Sequence, residues 1–431
     1  MTHRTERLLT VGALARVEGE GALHVSVRDG EVEDVRLRIY EPPRYFEALL
    51  RGRRYTEPPD LTSRICGICP VAYQMSACRA VEDACGVAVD GQLGKLRRLL
   101  YCGEWIESHT LHIYLLHAPD FLNLPDVLAL ARTDAALLQR GLRLKKAGNE
   151  IVEVLGGRAI HPVNVRVGGF HRLPTRDELD HLATVLVQAR VDVEETLGWV
   201  AGFEFPSLTI RHEFLALTEP DRYAIESGTP TGAHVGPFDV AEFEQHVREH
   251  QVPHSTALHA TLDGRPHLTG PLARWNLSGE RLPAEVRALA TEAGLGPRCD
   301  NPFRSILVRA VEVLWAVTEA QRIIEQYEPP SGPALPVPPR AGTGYGATEA
   351  PRGLLYHRYD VDEDGLVRHA VIVPPTAQNQ TAIETDLRAF IQTRLHLDDA
   401  ELTRQCERAI RTYDPCISCA AHFLTLAVDR G

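Results

Sequence analysis

The sequence predicts an α+β fold that is predominantly α, in which a long central helical bundle carries β-hairpins at its periphery. Three features of the 431 residues predict this class. Long segments place apolar residues at helical spacing, shorter segments alternate around turn sequences, and a C-x-x-C pair lies near each end of the chain. Both pairs can serve one site only if the ends of the fold meet. We therefore predict a single domain over residues 1–431.

Two hairpins are predicted from alternating segments. The first has Leu23 to Val27 on one side of the turn Asp29-Gly30 and Val32 to Ile39 on the other. The second joins residues 354–359 and 367–373 across the acidic turn 362–365. That turn lacks the ligand spacing of an EF-hand loop, so we interpret it as a solvated hairpin tip rather than a calcium site.

Long helices are predicted between and after these hairpins. Thr175 and Glu178 have the spacing of a capping box, and Asn301-Pro302 has the form of an N-cap followed by a proline at the first helical position. The predicted helices cover residues 93–116, 124–155, 175–202, 301–327 and 382–411, with a short one near 241–248. Six prolines between residues 328 and 340 exclude helix and central strand there, which makes that segment the best internal linker.

Charge and composition exclude several kinds of partner. The net charge of -12 disfavours nucleic acid and anionic membrane surfaces, which attract basic patches. No apolar run approaches the roughly 20 residues of a spanning helix, so we expect no membrane insertion. The polar N-terminus has no signal-peptide core, and nine cysteines are an odd number. These features favour a cytoplasmic protein.

The two C-x-x-C pairs are Cys66 with Cys69 and Cys416 with Cys419, about 350 residues apart. One such pair is compatible with a redox dithiol or half of a zinc site. Zinc ribbons usually place their pairs about 15 to 20 residues apart, and four converging thiolates form a site for a soft metal. The residues around the pairs decide between these alternatives.

Five separated motifs carry a resemblance to a known family. They are R-V-E-G from Arg16, P-R-Y-F-E from Pro43, R-I-C-G-I-C-P from Arg64, E-A-P-R-G from Glu349, and D-P-C-I-S-C-A-A-H from Asp414 to His422. In this order they resemble the large, catalytic subunit of the nickel-iron hydrogenases. The resemblance implies that Cys66 and Cys416 are terminal nickel ligands, and that Cys69 and Cys419 bridge nickel to an iron that carries cyanide and carbon monoxide. Soft thiolates suit a nickel ion that changes oxidation state.

The resemblance also implies roles for residues that alone would be interpreted as solvated or structural. The implied reaction is reversible heterolytic cleavage of dihydrogen, with Cys416 as proton acceptor, Arg352 as electrostatic and positioning residue, and Glu18 as proton gate. An arginine side chain stays protonated at physiological pH, so it has no free lone pair with which to act as a base. The remaining implied site residues are Asp120 and Asp414 pairing with Arg352, Pro351 and Thr376 at the cofactor, and Glu47 with His422 around Mg²⁺ or Fe²⁺.

Three departures from the family pattern limit what can be carried over. Tyr73 stands where many members have a histidine, and Pro375 lies near the position of a serine or threonine that touches a cyanide, which leaves Thr376 as the substitute. Members are usually matured by an endopeptidase that cuts after the histidine matching His422. Residues 423–431 are therefore either a cleavable tail or a segment that this branch keeps.

Electron transfer implies partner subunits. The five other cysteines show no cluster-binding pattern, so we interpret them as core thiols and expect the iron-sulfur clusters in a separate small subunit; they are Cys78, Cys85, Cys102, Cys299 and Cys406. Segments such as C-P-V-A-Y-Q-M resemble the soluble bidirectional branch, which reduces NAD(P) through flavin and further iron-sulfur subunits. The alternatives are a deazaflavin-reducing hydrogenase, a plain zinc-binding structural protein and a non-catalytic four-cysteine scaffold subunit. Correct nickel loading implies a maturation chaperone.

Overall fold

The computed structural model describes residues 6–421. The α-helices are α1 (Phe46–Leu50), α2 (Pro58–Thr62), α3 (Pro70–Cys85), α4 (Gly91–Leu111), α5 (Ala118–Phe121), α6 (Val127–Thr133), α7 (Ala135–Gly156), α8 (Arg176–Ala201), α9 (Phe243–His246), α10 (Pro271–Ser278), α11 (Ala284–Glu292), α12 (Ser305–Glu325), α13 (Pro375–Gln392), α14 (Asp399–Thr412) and α15 (Ile417–Ala420). The longest of them, α4, α7, α8 and α12, pack against one another as the predicted central bundle.

Small sheets surround this bundle. Their strands are β1 (Glu6–Val11), β2 (Gly21–Arg28), β3 (Glu31–Ile39), β4 (Val165–Arg166), β5 (Gly169–Phe170), β6 (Glu213–Thr218), β7 (Thr229–Gly232), β8 (Gly236–Pro237), β9 (Val247–His250), β10 (His259–Leu262), β11 (His267–Leu268), β12 (Gly342–Ala350), β13 (Gly353–Val361) and β14 (Val367–Val373). Two antiparallel sheets, β1-β2-β3 and β12-β13-β14, contain both predicted hairpins. Among residues 6–421, no helix is long and apolar enough to cross a membrane.

Local sequence signals placed several boundaries correctly. The capping box of Thr175 and Glu178 is present at the start of α8. Asn301 accepts a hydrogen bond from the Phe303 N–H at the turn that opens α12. Asp29 and Gly30 both have positive φ, as a type I′ turn requires. These predictions are confirmed because each depends on contacts within a few residues.

Four predicted helices differ from the structure. The segment 93–116 is α-helical only to Leu111 and continues as a π-helical turn, His112–His117. The segment 124–155 is broken at Asp134, whose side chain caps α7. The segment 241–248 forms one helical turn and then strand β9, and the segment 382–411 is two helices, α13 and α14. Apolar spacing alone did not reveal these interruptions.

Strand β12 was missed because it is rich in glycine. A Cβ on Gly344 would lie 2.0 Å from the Ala80 carbonyl oxygen, and one on Gly346 would lie 2.3 Å from that of Ser76. Glycine therefore lets this strand press against the backbone of α3. Glycine is usually unfavourable within a strand, so this glycine-rich segment carries no strand signal in the sequence.

The proline-rich segment 328–340 contains no helix or strand, as predicted. Backbone hydrogen bonds nevertheless attach this segment to the rest of the fold. The Phe170 N–H donates to the Pro333 carbonyl over 2.8 Å, and the Leu335 N–H donates to the Gly168 carbonyl over 2.9 Å. The segment thus runs along the outside of the β4-β5 hairpin.

Candidate metal centre

The cysteine centre lies where the loop before α3 meets the loop before α15. The Sγ atoms of Cys66 and Cys416 are 3.3 Å apart, those of Cys69 and Cys419 are 3.4 Å apart, and those of Cys416 and Cys419 are 3.0 Å apart. All four sulfurs lie within 4.8 Å of one another, and all four residues are buried. The two ends of the chain therefore meet as the C-x-x-C pairs predicted.

Arg44 joins the two cysteine loops directly. Its guanidinium donates to the Ile65 carbonyl and to the Ser418 carbonyl, each over 2.6 Å, and its backbone N–H donates to the Ala421 carbonyl. This residue belongs to the P-R-Y-F-E motif, in which only Glu47 was given a role from the sequence. A cation that binds carbonyls of both loops explains why arginine stands at this position.

The first cysteine loop is also held from the bundle. Glu104 on α4 accepts hydrogen bonds from the N–H groups of Val71 and Ala72, over 2.6 and 3.1 Å. These are otherwise unpaired donors at the start of α3. Sequence reasoning missed Glu104, because nothing in the sequence distinguishes it from a solvated acid.

Glu18 lies against the second cysteine loop, the one that contains Cys416 and Ser418. The Cys416 thiol donates to its Oε2 over 3.2 Å, and the Ser418 N–H donates to the same oxygen over 3.0 Å. Its carbonyl accepts from the Ile417 N–H, so the R-V-E-G segment pairs with the closing motif like a short parallel strand. Burial, then the negative charge of Cys66, raises the pKa of Glu18 above its usual value. A carboxyl of raised pKa next to a thiol can exchange protons with it.

Arg352 and Asp414 form another side of the centre. The Arg352 guanidinium donates to the Asp414 carbonyl over 2.9 Å and to its Oδ1 over 3.0 Å. Both side chains are buried, at 2% and 1% exposure. Burial alone would lower the pKa of Arg352, but Asp414 and the thiolates outweigh it and raise that pKa well above its usual value. The predicted Arg352–Asp414 pair is present, and the guanidinium stays charged.

Arg309 on α12 completes this side and was not predicted. Its Nε lies 3.8 Å from Asp414 Oδ2, so Asp414 lies between two buried guanidinium groups. Arg309 sits within an apolar helical stripe. An arginine among valines and leucines is the signal that could have identified it, because a buried charge needs a partner.

Asp120 does not pair with Arg352. Its carboxylate accepts hydrogen bonds from Arg16 over 2.6 Å and from Arg411 over 2.7 and 2.8 Å. The prediction of an Asp120–Arg352 pair is therefore wrong, because the fold brings Arg16 and Arg411 to this carboxylate and pairs Arg352 with Asp414. Asp120 instead ties the R-V-E-G segment to α14, which leads directly into the closing cysteine loop.

The loop of the E-A-P-R-G motif is braced from behind. Arg274 donates to the carbonyls of Ala350 and Pro351, each over 3.0 Å, and to Glu349 Oε2 over 2.8 Å. Gly353 has a φ of 138°, and a Cβ there would lie 2.5 Å from Thr269 Cγ2. The neighbouring residues of the motif therefore position Arg352. Arg274 holds Glu349 behind the loop, and Gly353 allows close packing against Thr269.

Thr376 and Tyr73 lie next to the cysteines. Thr376, the second residue of α13, accepts a hydrogen bond from the Cys416 N–H over 3.0 Å, while Pro375 opens the helix. The Tyr73 side chain is buried, and burial, followed by the charges of Cys419 and Cys69, raises its pKa well above its usual value. A neutral phenol thus occupies the position where many family members were expected to have histidine.

Other predicted residues lie apart from the sulfurs or outside the described chain. Glu47 is buried and accepts a hydrogen bond from the Ile372 N–H over 2.8 Å; burial raises its pKa to about 7. His422 and residues 423–431 lie outside the described residues. The five remaining cysteines are buried free thiols, as expected of core residues.

The donor set fits a thiolate-bound metal centre. Thiolates bind a first-row metal such as zinc at about 2.3 Å, and sulfurs 3.0 to 3.4 Å apart are close enough to share one or two ions. Hydrogen bonds from Cys416, Cys419 and Cys69, helped by Arg352, lower the pKa of Cys66 well below its usual value. Fold and site together define a metalloprotein whose centre is built from both ends of the chain.

Comparisons with known proteins identify the family. Residues 44–143 and 312–422 match a family described as nickel-dependent hydrogenase. The chain is 34% identical over 426 residues to the alpha subunit of sulfhydrogenase 2 from Pyrococcus furiosus, covering 97% of this chain and 100% of that protein. It is 29% identical over 459 residues to one subunit of the F420-non-reducing hydrogenase from Methanothermobacter marburgensis, covering 96% of this chain and 94% of that protein.

A solved structure agrees with this relationship. The fold matches a crystal structure of an NAD+-reducing NiFe-hydrogenase with a TM-score of 0.85 at 28% identity, covering 96% of this chain and 99% of that one. The chain belongs to the nickel-dependent hydrogenase family, as a large subunit with the four cysteines positioned for a nickel-iron centre. The predicted family, fold class and enzyme class are thereby confirmed.

Proposed function

We propose that this protein catalyses the reversible heterolytic cleavage of dihydrogen and passes the electrons to an NAD(P)-reducing module. The observation that carries the proposal is the convergence of four buried Sγ atoms within 4.8 Å. When bound, a nickel-iron centre with cyanide and carbon monoxide on iron would supply the cleavage and accept the electrons. Cys66 and Cys416 would be its terminal nickel ligands, and Cys69 and Cys419 its bridging ligands.

The proton path starts at the Cys416 sulfur. Glu18 Oε2 lies 3.2 Å from that sulfur, within reach for direct transfer. The side chain of Glu18 is half-buried, so a proton taken up there can continue toward solvent. Thus Cys416 accepts the proton and Glu18 carries it away.

Arg352 acts as a fixed positive charge rather than a base. Its pKa is raised well above the usual value, and both of its hydrogen bonds to Asp414 hold the guanidinium in place. A preorganised charge in a water-poor site stabilises developing negative charge without rearranging. Two further residues would complete the cofactor pocket. Pro351 precedes Arg352 in the chain, and Thr376 accepts the hydrogen bond of the Cys416 N–H.

A second ion, Mg²⁺ or Fe²⁺, would be bound by Glu47 together with His422. The support is the buried Glu47 carboxylate, an oxygen ligand of the kind that hard cations prefer. Loading nickel rather than zinc would depend on a maturation chaperone, since affinities of such sites for the two metals differ too little to select. An endopeptidase would act on residues 423–431 if this branch removes its tail.

Electrons would leave through the loop that carries Cys66 and Cys69, where Arg64 and Gly67 are exposed. Two exposed apolar residues lie beside it: Ile160 is 58% and Val163 is 48% exposed. His161, between them in sequence, is hydrogen-bonded to the Ser63 carbonyl over 2.8 Å. These features support docking, at this face, of a small partner protein that carries iron-sulfur clusters.

The NAD(P) linkage, through flavin and further iron-sulfur subunits, draws support from the likeness to the NAD+-reducing enzyme. A deazaflavin acceptor is the alternative. The nine free cysteines are consistent with a reducing, cytoplasmic setting.

Purification of the assembled complex from its native host, followed by metal analysis and infrared spectroscopy, tests the proposal. We expect bands of carbon monoxide and cyanide, with nickel and iron in the large subunit. Stoichiometric zinc without such bands in the fully assembled complex would refute it. Reduction of NAD(P) by dihydrogen, compared with reduction of a deazaflavin, then identifies the acceptor.

A further inference from the structure

A second group of metal-binding side chains lies outside the five motifs. It consists of His254, His259 and Glu384, which offer one ligand atom each within 4.8 Å of one another. His259 opens β10, His254 lies in the segment between β9 and β10, and Glu384 is on α13. Two imidazoles and one carboxylate are a ligand set that divalent transition metals bind.

The distances suit a single ion. Glu384 Oε1 lies 2.9 Å from His254 Nε2, and Glu384 Oε2 lies 3.3 Å from His259 Nε2. A tetrahedral ion bound at about 2.0 to 2.1 Å needs ligand atoms roughly 3.3 Å apart. The carboxylate therefore already holds both imidazoles near the required spacing.

The ring nitrogens of His259 are available to bind an ion. Its ring is 2% exposed, yet neither nitrogen makes a hydrogen bond of good geometry, although Nε2 lies close to Glu384. Leaving buried nitrogen atoms unpaired costs free energy. An ion between His259 and Glu384 would satisfy the Nε2 lone pair.

The Glu384 carboxylate is held in place from strand β3. Its Oε1 accepts the Leu37 N–H hydrogen bond over 2.8 Å. Glu384 thus links strand β3 to the two histidines.

An ion could reach the group from the surface. The side chains of His254 and Glu384 are 19% and 16% exposed. His254 also lines a surface cleft of about 480 Å³ together with Arg36, Arg38 and Pro253. A water from this cleft can fill the fourth coordination position.

We infer that His254, His259 and Glu384 bind one divalent transition-metal ion, of the zinc class, through the two Nε2 atoms and the Glu384 carboxylate. The ion ties β3, α13 and the β9–β10 segment together. The Thr256 N–H in that segment donates to the Ile39 carbonyl of β3 over 2.9 Å. Ala257 packs in one apolar cluster with Ile417 and Ala420, so the ion steadies a support of the closing cysteine loop.

Titration of the full-length chain with Co²⁺ tests the site. Cobalt bound by imidazole and carboxylate shows ligand-field bands without the thiolate charge-transfer bands that the cysteine centre would produce. We expect one equivalent of this sulfur-free type, displaced by Zn²⁺. Glu384→Gln and His254→Gln should each weaken it by more than the 10–100-fold typical of losing an outer-shell partner.

His246→Gln is the matched control, because His246 also contacts a carboxylate, that of Asp263, but lies outside the group. It should keep the sulfur-free equivalent. His254→Gln changes a partly exposed residue, and circular dichroism will show that it folds. The inference is wrong if the wild type binds cobalt only with thiolate bands, or if both ligand variants bind it as tightly as the control. Neither result depends on hydrogenase activity, so this test and that of the proposed function can fail separately.

Discussion

The two sides of the cysteine centre carry different kinds of charge. On one side, Arg352 and Asp414 are almost completely buried and joined by two hydrogen bonds. On the other side, Glu18 is half-buried, and its carboxyl has a pKa raised by burial and by the Cys66 thiolate. In the proposed mechanism the fold separates two tasks: the charge of Arg352, which stays fixed, is enclosed, and Glu18, which exchanges protons, lies nearer solvent.

Cys419→Ser removes one of the four thiols of the centre and should have the largest effect. A serine hydroxyl is a harder and weaker donor for nickel and iron than a thiolate. We expect nickel content and dihydrogen oxidation to fall at least about 100-fold, beyond the usual cost of an outer-shell change. Metal analysis of the purified complex and a dye-linked assay measure both.

Cys299→Ser is the control for that change. Cys299 is also buried, and its thiol donates to the Asn301 carbonyl, which a serine hydroxyl can do as well. Full nickel content in Cys419→Ser would show that this thiol is not needed to bind nickel, and the comparison of two sides around a four-cysteine centre would then be wrong.

Arg352→Lys tests the enclosed side. Lysine keeps the charge but cannot donate to the Asp414 carbonyl and Oδ1 with a rigid fork. We expect a loss of turnover of about 1,000-fold, at the upper end for removing one preorganised donor, with nickel content unchanged. Arg176→Lys, on the surface at the start of α8, should retain wild-type turnover. Wild-type turnover in Arg352→Lys would show that charge alone suffices there.

Glu18→Gln tests the open side. The amide keeps the shape but cannot carry a proton, so exchange of deuterium gas with solvent protons should slow about 100-fold, near the lower end for positioned acid–base groups. Water can replace part of the function because Glu18 is half-buried. Glu20→Gln, an exposed neighbour, serves as the control. Exchange as fast as in the control would remove Glu18 from the proton path.

Asp120→Asn should lower stability and leave the chemistry of the cysteine centre nearly intact. It removes a buried anion that holds Arg16 and Arg411, so the free energy of unfolding should fall by about 3–5 kcal/mol. Activity per folded, nickel-loaded molecule should change least of the four variants. Denaturant unfolding at pH 7 measures the difference.

The effect of Asp120→Asn should also depend on pH. Arg411 and Arg16 outweigh burial and lower the pKa of Asp120 in the folded protein. Its stabilising contribution is therefore present above the unfolded pKa of about 3.9 and is lost as pH falls through the lower folded value. The difference from wild type should shrink at strongly acid pH. Asp134→Asn, which preserves a helix cap, should be neutral throughout.

Sequence reasoning succeeded where the signal was local or belonged to a motif. The helix that begins after Thr175 and the turn at Asp29-Gly30 follow from neighbouring residues. The four cysteines, Arg352 and Asp414 follow from motifs whose residues meet as expected.

It failed where the partner is far away in sequence and no motif assigns it. Arg44 and Glu104 look like ordinary surface charges until the fold brings backbone groups to them, and Arg309, although it stands in an apolar stripe, has no visible partner until the fold brings Asp414 near. Asp120 was assigned the wrong arginine for the same reason. Strand β12 needed the close approach of α3 before its glycines made sense. These features are set by tertiary contacts that a single sequence does not record.

X-ray absorption at the nickel edge of the assembled complex tests the central claim most directly. The four-cysteine centre predicts nickel surrounded by sulfur, with iron as a near neighbour. Nickel bound mainly by nitrogen and oxygen, as the His254, His259 and Glu384 group would bind it, would contradict the account.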